Sequence, residues 1–363
     1  MRRALQLAER GWGRVSPNPL VGALVLDDAD GTVLGEGWHE GPGTAHAEAM
    51  ALAAAGVRAR GATVVCTLEP CNRFGRTPPC TRALIDAGVA RIVVSATDPN
   101  LGEDAPGLAE LRGAGIAVET GPLEVESRRL NRAFERHVAT GLPTVTLKMA
   151  SSLDGKTAAA DGTSKWITGE QARADVQRLR AWADAIVVGA GTAIADDPVL
   201  TVRDDRYADA AAPLRVVVDG SGRVPANGRL FDRSAPTLVA TTTAAAEDRI
   251  QAWSAAGADV LVLDRDAAGG VSLASLFHAL GKRDVQAVLV EGGATLAWSL
   301  VRDGLLDDVV LYLAPKLVGG ATSPGMLAGE GFAPLARALD LTFTSAEPIG
   351  PDVRLEAHVH RDR

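Results

Sequence analysis

TAHAEAMALAAAGVRARGATVVCTLEPCNRFGRTPPC, residues 44–80, decides how this 363-residue chain is read. HAEAMALAAAG is rich in alanine and leucine and stops at Gly56, which predicts a helix with His46 and Glu48 in its first turn. ATVVCTL (62–68) is a bounded apolar run, the pattern of a buried strand. EPCNRFGRTPP reads as a loop, and CTRALIDAG opens a second helix near Cys80. Element ends thus carry His46, Cys71 and Cys80, with Glu48 beside them. Zinc takes nitrogen and thiolate ligands tetrahedrally, and a catalytic site leaves one position for water. Three ligands fit that arrangement. Cys66 lies inside the strand and reads as a packed residue, as buried free cysteines commonly are. His39 is near in sequence but stands at a strand end before the Gly41-Pro42-Gly43 turn, so it is left out. On a helix Glu48 points about 200° away from His46, yet in a first turn both can face a pocket entered from the N-terminus. A helix start also favours a thiolate at Cys80.

Working outward, residues 2–10 suggest a short amphipathic helix. Pro17 and Pro19 hold Asn18 in extended or turn geometry. VGALVL, a turn at 28–31 and TVLGEGW predict a hairpin. Downstream, RIVVSA, PGLAELRGAG and IAVET predict strand, helix, strand, and 122–139 one charged helix. TGLP (140–143) breaks the pattern, which puts a domain boundary between 1–142 and 143–363. The second part alternates again, with strands expected at 144–150, 185–190, 214–219, 237–241, 258–263, 285–290, 307–314, near 340–346 and at 352–359. Helices are expected at 169–182, 245–256, 272–280 and 294–303, and a long loop at 191–213.

Composition narrows the function. The net charge of −8 argues against nucleic-acid or anionic-membrane binding, which want a basic face. No apolar run reaches the ~20 residues of a membrane span. Glu9 and Arg10 interrupt the N-terminus before a signal-peptide core develops. Three cysteines make no disulfide framework. The expectation is a cytoplasmic enzyme acting on small molecules.

The pair HAE (46–48) and Pro70-Cys71 resembles the zinc-dependent cytidine/deoxycytidylate deaminases, whose signature is H-x-E followed by P-C-x-x-C. Eight residues separate the cysteines here instead of two. That spacing, in TLEPCNRFGRTPPC (67–80), together with NPLVGA (18–23) and DPN (98–100), resembles the riboflavin-biosynthesis pyrimidine deaminases. Asn72-Arg73-Phe74 departs from the Ser-His-His or Ser-His-Tyr of that branch. The resemblance implies a cytidine-deaminase-like three-layer α/β/α domain, with zinc on His46, Cys71 and Cys80. Metal-activated water would attack the ring carbon bearing an exocyclic amine, with Glu48 moving the protons. Asn18 would read a polar edge of the pyrimidine. Arg76 is a candidate for the substrate's phosphate or carbonyl, or equally a solvated loop arginine.

Four stretches in the second part carry chemistry: LKMASSLDGK (147–156), SKWITG (164–169), VVGAGTAIADDPVLTVR (187–203) and VLVEGGATLAWSL (288–300). Gly292 and Gly293 follow an apolar strand and open a helix, where backbone N–H groups can meet an anion; such a pair is also a common tight turn. Together the stretches resemble the riboflavin-pathway reductase, a dihydrofolate-reductase-like α/β domain with a mainly parallel central sheet that uses NADPH. The resemblance places Ala150, Trp166, Thr192, Asp196, Gly293, Ala294, Thr295 and Leu296 at the cofactor. It places Ser164, Arg180, Leu200, Arg203 and Glu291 at the substrate. Lys148 or Asp196 would assist hydride transfer, and the residues do not choose between them.

Joined, the two parts resemble the bifunctional riboflavin-biosynthesis deaminase–reductases, which implies a homo-oligomer, dimer or tetramer. The first step would deaminate 2,5-diamino-6-(5-phosphoribosylamino)pyrimidin-4(3H)-one. The second would reduce the ribosyl side chain of 5-amino-6-(5-phosphoribosylamino)uracil to ribityl. A nucleoside or tRNA base deaminase with an accessory domain is disfavoured by the acidic charge. A zinc-stabilised scaffold that only senses a dinucleotide is disfavoured by the intact Glu48 and the three-ligand set.

Overall fold

Strands and helices follow one another along both parts of the chain in the computed structural model, which describes residues 1–75, 77–102 and 105–360. The chain divides into two units, Met1–Gly141 and Leu142–Arg363.

In the first unit, α1 (Arg2–Ala8) precedes the hairpin of β1 (Gly22–Leu26) and β2 (Val33–Trp38). Then come α2 (Ala47–Ala55), β3 (Thr63–Leu68), α3 (Cys80–Ala87), β4 (Arg91–Ala96), α4 (Pro106–Gly113), β5 (Ala117–Thr120), α5 (Glu124–Leu130) and α6 (Arg132–Thr140). The sheet runs β2-β1-β3-β4-β5. β1 pairs antiparallel with both neighbours, while β3, β4 and β5 are parallel. Every residue of β3 is buried, as a strand covered on both faces requires. On one face Ala47, Ala51, Leu84, Leu108 and Leu111 of α2, α3 and α4 pack on Val25, Val64, Ile92 and Val94. On the other, Ala4 and Leu7 of α1 pack on Leu24 and Val65.

Two glycines set the height of α2. A Cβ on Gly37 would lie 2.1 Å from the Ala47 carbonyl oxygen, and one on Gly35 2.2 Å from that of Ala51. The helix backbone therefore rests directly on β2. The single helix expected over 122–139 is two, α5 and α6. Asn131 breaks it because its side chain turns inward, accepting from the Leu20 N–H at 2.7 Å and donating to the Leu20 carbonyl at 2.9 Å.

The second unit contains β6 (Thr144–Ser152), α7 (Glu170–Trp182), β7 (Ala185–Gly189), α8 (Ala190–Asp196), β8 (Leu214–Val218), β9 (Thr237–Thr241), α9 (Glu247–Ala255), β10 (Asp259–Val262), α10 (Leu273–Gly281), β11 (Ala287–Glu291), α11 (Ala294–Arg302), β12 (Asp308–Ala314), β13 (Leu341–Ile349) and β14 (Asp352–Val359). Their order is β10-β9-β8-β7-β11-β6-β12-β14-β13, parallel as far as β12 and antiparallel in the final hairpin. α10 and α11 cover one face through Leu276, Phe277, Leu280 and Leu300. α7, α8 and α9 cover the other through Val176, Leu179, Ala193 and Trp253. The loop expected at 191–213 begins instead with α8, whose run of small residues carries no helical periodicity to announce it.

β11 lies between β6 and β7, so the strand order reverses there. The C-terminal ends of parallel strands at such a reversal form the usual ligand crevice of open α/β sheets.

Candidate functional site

In the first unit, local structure brings three donors from three places. His46 is the N-cap of α2, Cys71 follows the end of β3, and Cys80 is the first residue of α3. His46 Nδ1 lies 3.5 Å from Cys71 Sγ and 3.3 Å from Cys80 Sγ. All three donor atoms fall within 4.8 Å of one another. Tetrahedral zinc holds nitrogen and thiolate ligands about 3.6 Å apart, from its bond lengths, so the set fits that ion. The remaining ring nitrogen, Nε2, lies 3.2 Å from Thr77 Oγ1. Such an outer partner fixes the orientation of a ligating imidazole.

Glu48 is 3% exposed, at the second position of α2. Burial pushes its carboxyl pKa up, the direction a proton-transferring acid needs. The thiolate preference falls on Cys71, which is pulled down to about 4 by the hydrogen bond from Cys80, with further help from His46. The Cys80 backbone N–H also points at Cys71 Sγ, 3.4 Å away. Cys80 itself is pushed up, first by donating a hydrogen bond to Cys71 and then by burial. The helix start at Cys80 therefore supports its neighbour's thiolate more than its own. Cys66 is buried within β3, donates to the Leu68 carbonyl at 3.0 Å, and is pushed up by burial.

His39, set aside on sequence grounds, belongs to this site. It is buried, its ring centroid is 5.5 Å from that of His46, and its Nε2 is 3.0 Å from Asn18 Nδ2. The hairpin returns it there, with the His39 N–H donating to the Val21 carbonyl at 2.9 Å. Its position at the end of a predicted hairpin opposite the Asn18 loop was the available signal. Phe74 is exposed, and Asn72 Oδ1 is buried without a hydrogen-bond partner among the described residues. Arg76 lies outside the described residues.

In the second unit, adjacent strands bring Lys148 and Glu291 into register. Arg180 of α7 holds Glu291 in a two-point pair, Nε to Oε1 at 2.6 Å and Nη2 to Oε2 at 3.0 Å. Its Nη1 donates to the Thr201 carbonyl at 3.1 Å. Lys148 Nζ stands 4.0 Å from Glu291 Oε2. Burial alone would raise the Glu291 carboxyl, but Arg180, with Lys148 and Arg203, holds it at about 2. Burial lowers the Lys148 ammonium, against the opposing pull of Glu291.

Thr192 of α8 meets the glycine pair. A Cβ on either Gly292 or Gly293 would approach it to 3.3 Å, and both glycines have positive φ, 93° and 75°. Gly293 caps α11, followed by Ala294 and the exposed Thr295, while the Leu296 side chain is in the core. Leu200 is also a core side chain, with φ 54°. The Arg203 N–H donates to Gln177 Oε1 at 2.8 Å. Ala150 and Ser164 are half-buried. Trp166 is 63% exposed under the Arg173 guanidinium, 4.6 Å from its ring centroid. Asp196 pairs with Lys165 at 3.7 Å rather than with the Lys148 group. Gln177, Lys165 and Arg173 escaped the sequence reading because their roles exist only through tertiary neighbours.

Comparison with known proteins gives a consistent picture. Residues 143–355 match the family described as the RibD C-terminal domain. Residues 1–96 match the cytidine and deoxycytidylate deaminase zinc-binding region. The chain is 41% identical to the riboflavin biosynthesis protein RibD of Escherichia coli (strain K12), over 98% of this chain and 97% of the other. It is likewise 41% identical to that of Bacillus amyloliquefaciens, over 98% and 95%. Among solved structures, Acinetobacter baumannii RibD superposes with a TM-score of 0.87 at 37% identity, covering 99% of this chain and 98% of that one. A diaminohydroxyphosphoribosylaminopyrimidine deaminase/5-amino-6-(5-phosphoribosylamino)uracil reductase from Thermotoga maritima gives 0.84 at 33% identity, covering 99% and 97%.

Proposed function

The chain belongs to the family of riboflavin biosynthesis proteins RibD, and from that premise we propose which residues perform its two reactions. It is a bifunctional enzyme. It deaminates 2,5-diamino-6-(5-phosphoribosylamino)pyrimidin-4(3H)-one with zinc, then reduces the ribosyl side chain of 5-amino-6-(5-phosphoribosylamino)uracil with NADPH. In this reading residues 1–142 hold the deaminase and 143–363 the reductase.

For the first reaction His46, Cys71 and Cys80 hold the metal. Zinc, when bound, supplies the Lewis acidity that makes water nucleophilic near neutral pH. Glu48 takes a proton from the attacking water, gives it to the ring nitrogen, and then assists departure of ammonia. Its burial supports this, since a carboxyl raised above its ordinary value both takes and returns a proton. Asn18 and His39, already bonded to each other, face the substrate's polar edge.

For the second reaction NADPH, when bound, supplies the hydride. Gly293, Ala294, Thr295, Thr192, Ala150, Trp166 and Asp196 line its site, with Leu296 contributing backbone only. Ser164, Arg203 and the backbone around Leu200 take the phosphoribosyl substrate. Lys148 protonates the nitrogen that shares its double bond with C1′, which makes that carbon electrophilic. The single observation that carries this assignment is the Lys148–Glu291–Arg180 group at the strand reversal, with Arg180 and Glu291 buried and Lys148 half-buried beside them. Asp196 is turned instead to Lys165 on the surface. Lys148→Met therefore loses reduction of supplied uracil intermediate with little change in NADPH affinity, whereas Asp196→Asn retains turnover. NADPH consumption and NADPH binding, measured on both variants, check this, and the reverse ranking would transfer the role to Asp196.

The partly exposed Leu341 and Phe343 on the edge strand β13 support a homo-oligomer, dimer or tetramer, built through the second unit. Three unpaired cysteines support a reducing, cytoplasmic setting. The acidic net charge supports small-molecule partners without nucleic acid.

A further inference from the structure

Glu69 is a buried carboxylate that neither reaction uses, and it stands two residues before Cys71. It is 3% exposed. Its Oε1 accepts from the Gly107 N–H at 2.9 Å and the Leu108 N–H at 3.3 Å, both in the first turn of α4. Its Oε2 accepts from the Asp98 N–H at 3.3 Å, at the start of the DPN turn. Gly107 has to be glycine for this contact. A Cβ there would lie 2.3 Å from the Pro70 carbonyl oxygen and 2.9 Å from Glu69 Oε1. The same helix reaches the other cysteine. Thr81, next to Cys80, donates from Oγ1 to Glu110 Oε2 of α4 at 3.0 Å, and from its backbone N–H to the Cys71 carbonyl at 3.1 Å. Between the two cysteines, the described residues 71–75 and 77–79 form no helix or strand.

We propose that Glu69 is a positioning residue for the metal centre. By anchoring Pro70-Cys71 to the start of α4, while Thr81 anchors Cys80 to Glu110 further along that helix, it fixes the spacing of the two sulfurs before metal arrives. The physical reason is entropic. Ordering an irregular segment costs conformational entropy, and in a loose site that cost is subtracted from metal affinity. Here backbone N–H groups that must be satisfied anyway hold the carboxylate in place. The proposal rests on reading His46, Cys71 and Cys80 as the ligands.

The test uses the full chain, with zinc as the probe. Zinc affinity is measured by competition with a chromogenic chelator, zinc release by excess chelator, and coordination geometry by the absorption of the cobalt-substituted protein. Glu69→Ala is expected to weaken zinc on the order of 10–100-fold, as loss of an outer-shell partner does, with faster release and an altered cobalt spectrum. Glu69→Gln, which keeps one acceptor, falls between Ala and wild type. Thr81→Val weakens zinc through the second anchor. A further readout excludes a merely structural role: the rise in Tm that zinc confers over chelator-treated protein shrinks in each variant. Should Glu69→Ala not fold, Glu69→Gln and Thr81→Val carry the same measurements. Wild-type affinity, release and cobalt spectrum in these variants would overturn the proposal. If Cys80→Ala binds zinc as tightly as wild type, the ligand reading is overturned instead, and the proposal falls with it.

Discussion

Glu48 and Glu291 are both buried carboxylates, and their neighbours push them in opposite directions. Among the described residues no cation is bonded to Glu48, so burial raises it; Glu291 is clasped by Arg180, so its negative charge is kept. Glu48→Gln removes the proton carrier but keeps the shape, and ammonia release should fall by about 10²–10⁴-fold. Zinc content measured on the same preparation should stay at the wild-type level, and retained deamination would refute the role. Glu291 gives a pH signature. Its folded value lies below the ordinary 4.5, at about 2, so its contribution to stability is present above 4.5 and is lost as pH falls towards 2. Glu291→Gln leaves Arg180 buried without its counter-charge. It should destabilise the chain by about 3–5 kcal/mol at neutral pH, a difference that narrows as the pH of the denaturation series approaches 2. A constant difference across that range would mean that charge is not the source. At this scale the sequence carried the types of the proposed ligands and of the proposed proton carrier, because zinc chemistry restricts which residues can serve. It did not carry His39, Glu69 or Gln177, whose roles depend on partners distant along the chain.

The groups proposed to act in the first unit sit where they do because of how α2 meets β2. The helix carries His46 at its cap and Glu48 in its first turn, and its backbone lies on Gly35 and Gly37. Gly37→Ala would place a methyl 2.1 Å from the Ala47 carbonyl oxygen. The helix must lift, at a cost of about 1–3 kcal/mol for overpacking. The lifted end is the one bearing Glu48, so deamination should fall while reduction of supplied intermediate is unchanged. Denaturation and the two assays on the same variant check this; equal loss in both assays would point to global damage. Strand and helix alternation made most elements legible, since apolar runs bounded by glycine and proline mark buried parallel strands. Two features were hidden for physical reasons. Asn131 reads as an ordinary polar helix residue until its amide meets Leu20 from 111 positions away. α8 is mostly small residues, and its site is shaped by the approach of Thr192 to the glycine pair.

At the scale of the whole molecule, the two chemistries need different things from the same solvent. The first depends on three donors that converge within 4.8 Å, a set able to hold a metal ion. The second depends on a cluster in which two cations, Lys148 and Arg180, already surround the Glu291 carboxylate, which gains nothing from a metal. Removing zinc from the intact enzyme should therefore separate the steps. With chelator present, ammonia release from the diaminopyrimidine phosphate stops, and NADPH consumption on that substrate stops with it, because no uracil intermediate forms. Supplied with 5-amino-6-(5-phosphoribosylamino)uracil, the same chelated enzyme continues to consume NADPH at the untreated rate. Zinc added back restores both signals on the first substrate. Following ammonia and NADPH together in one reaction distinguishes the cases. Loss of reduction on supplied intermediate would mean that the metal also supports the second unit, against the division of labour argued from its residues. Persistence of ammonia release would remove the metal from the first reaction altogether, and with it the meaning given to the spacing of Cys71 and Cys80.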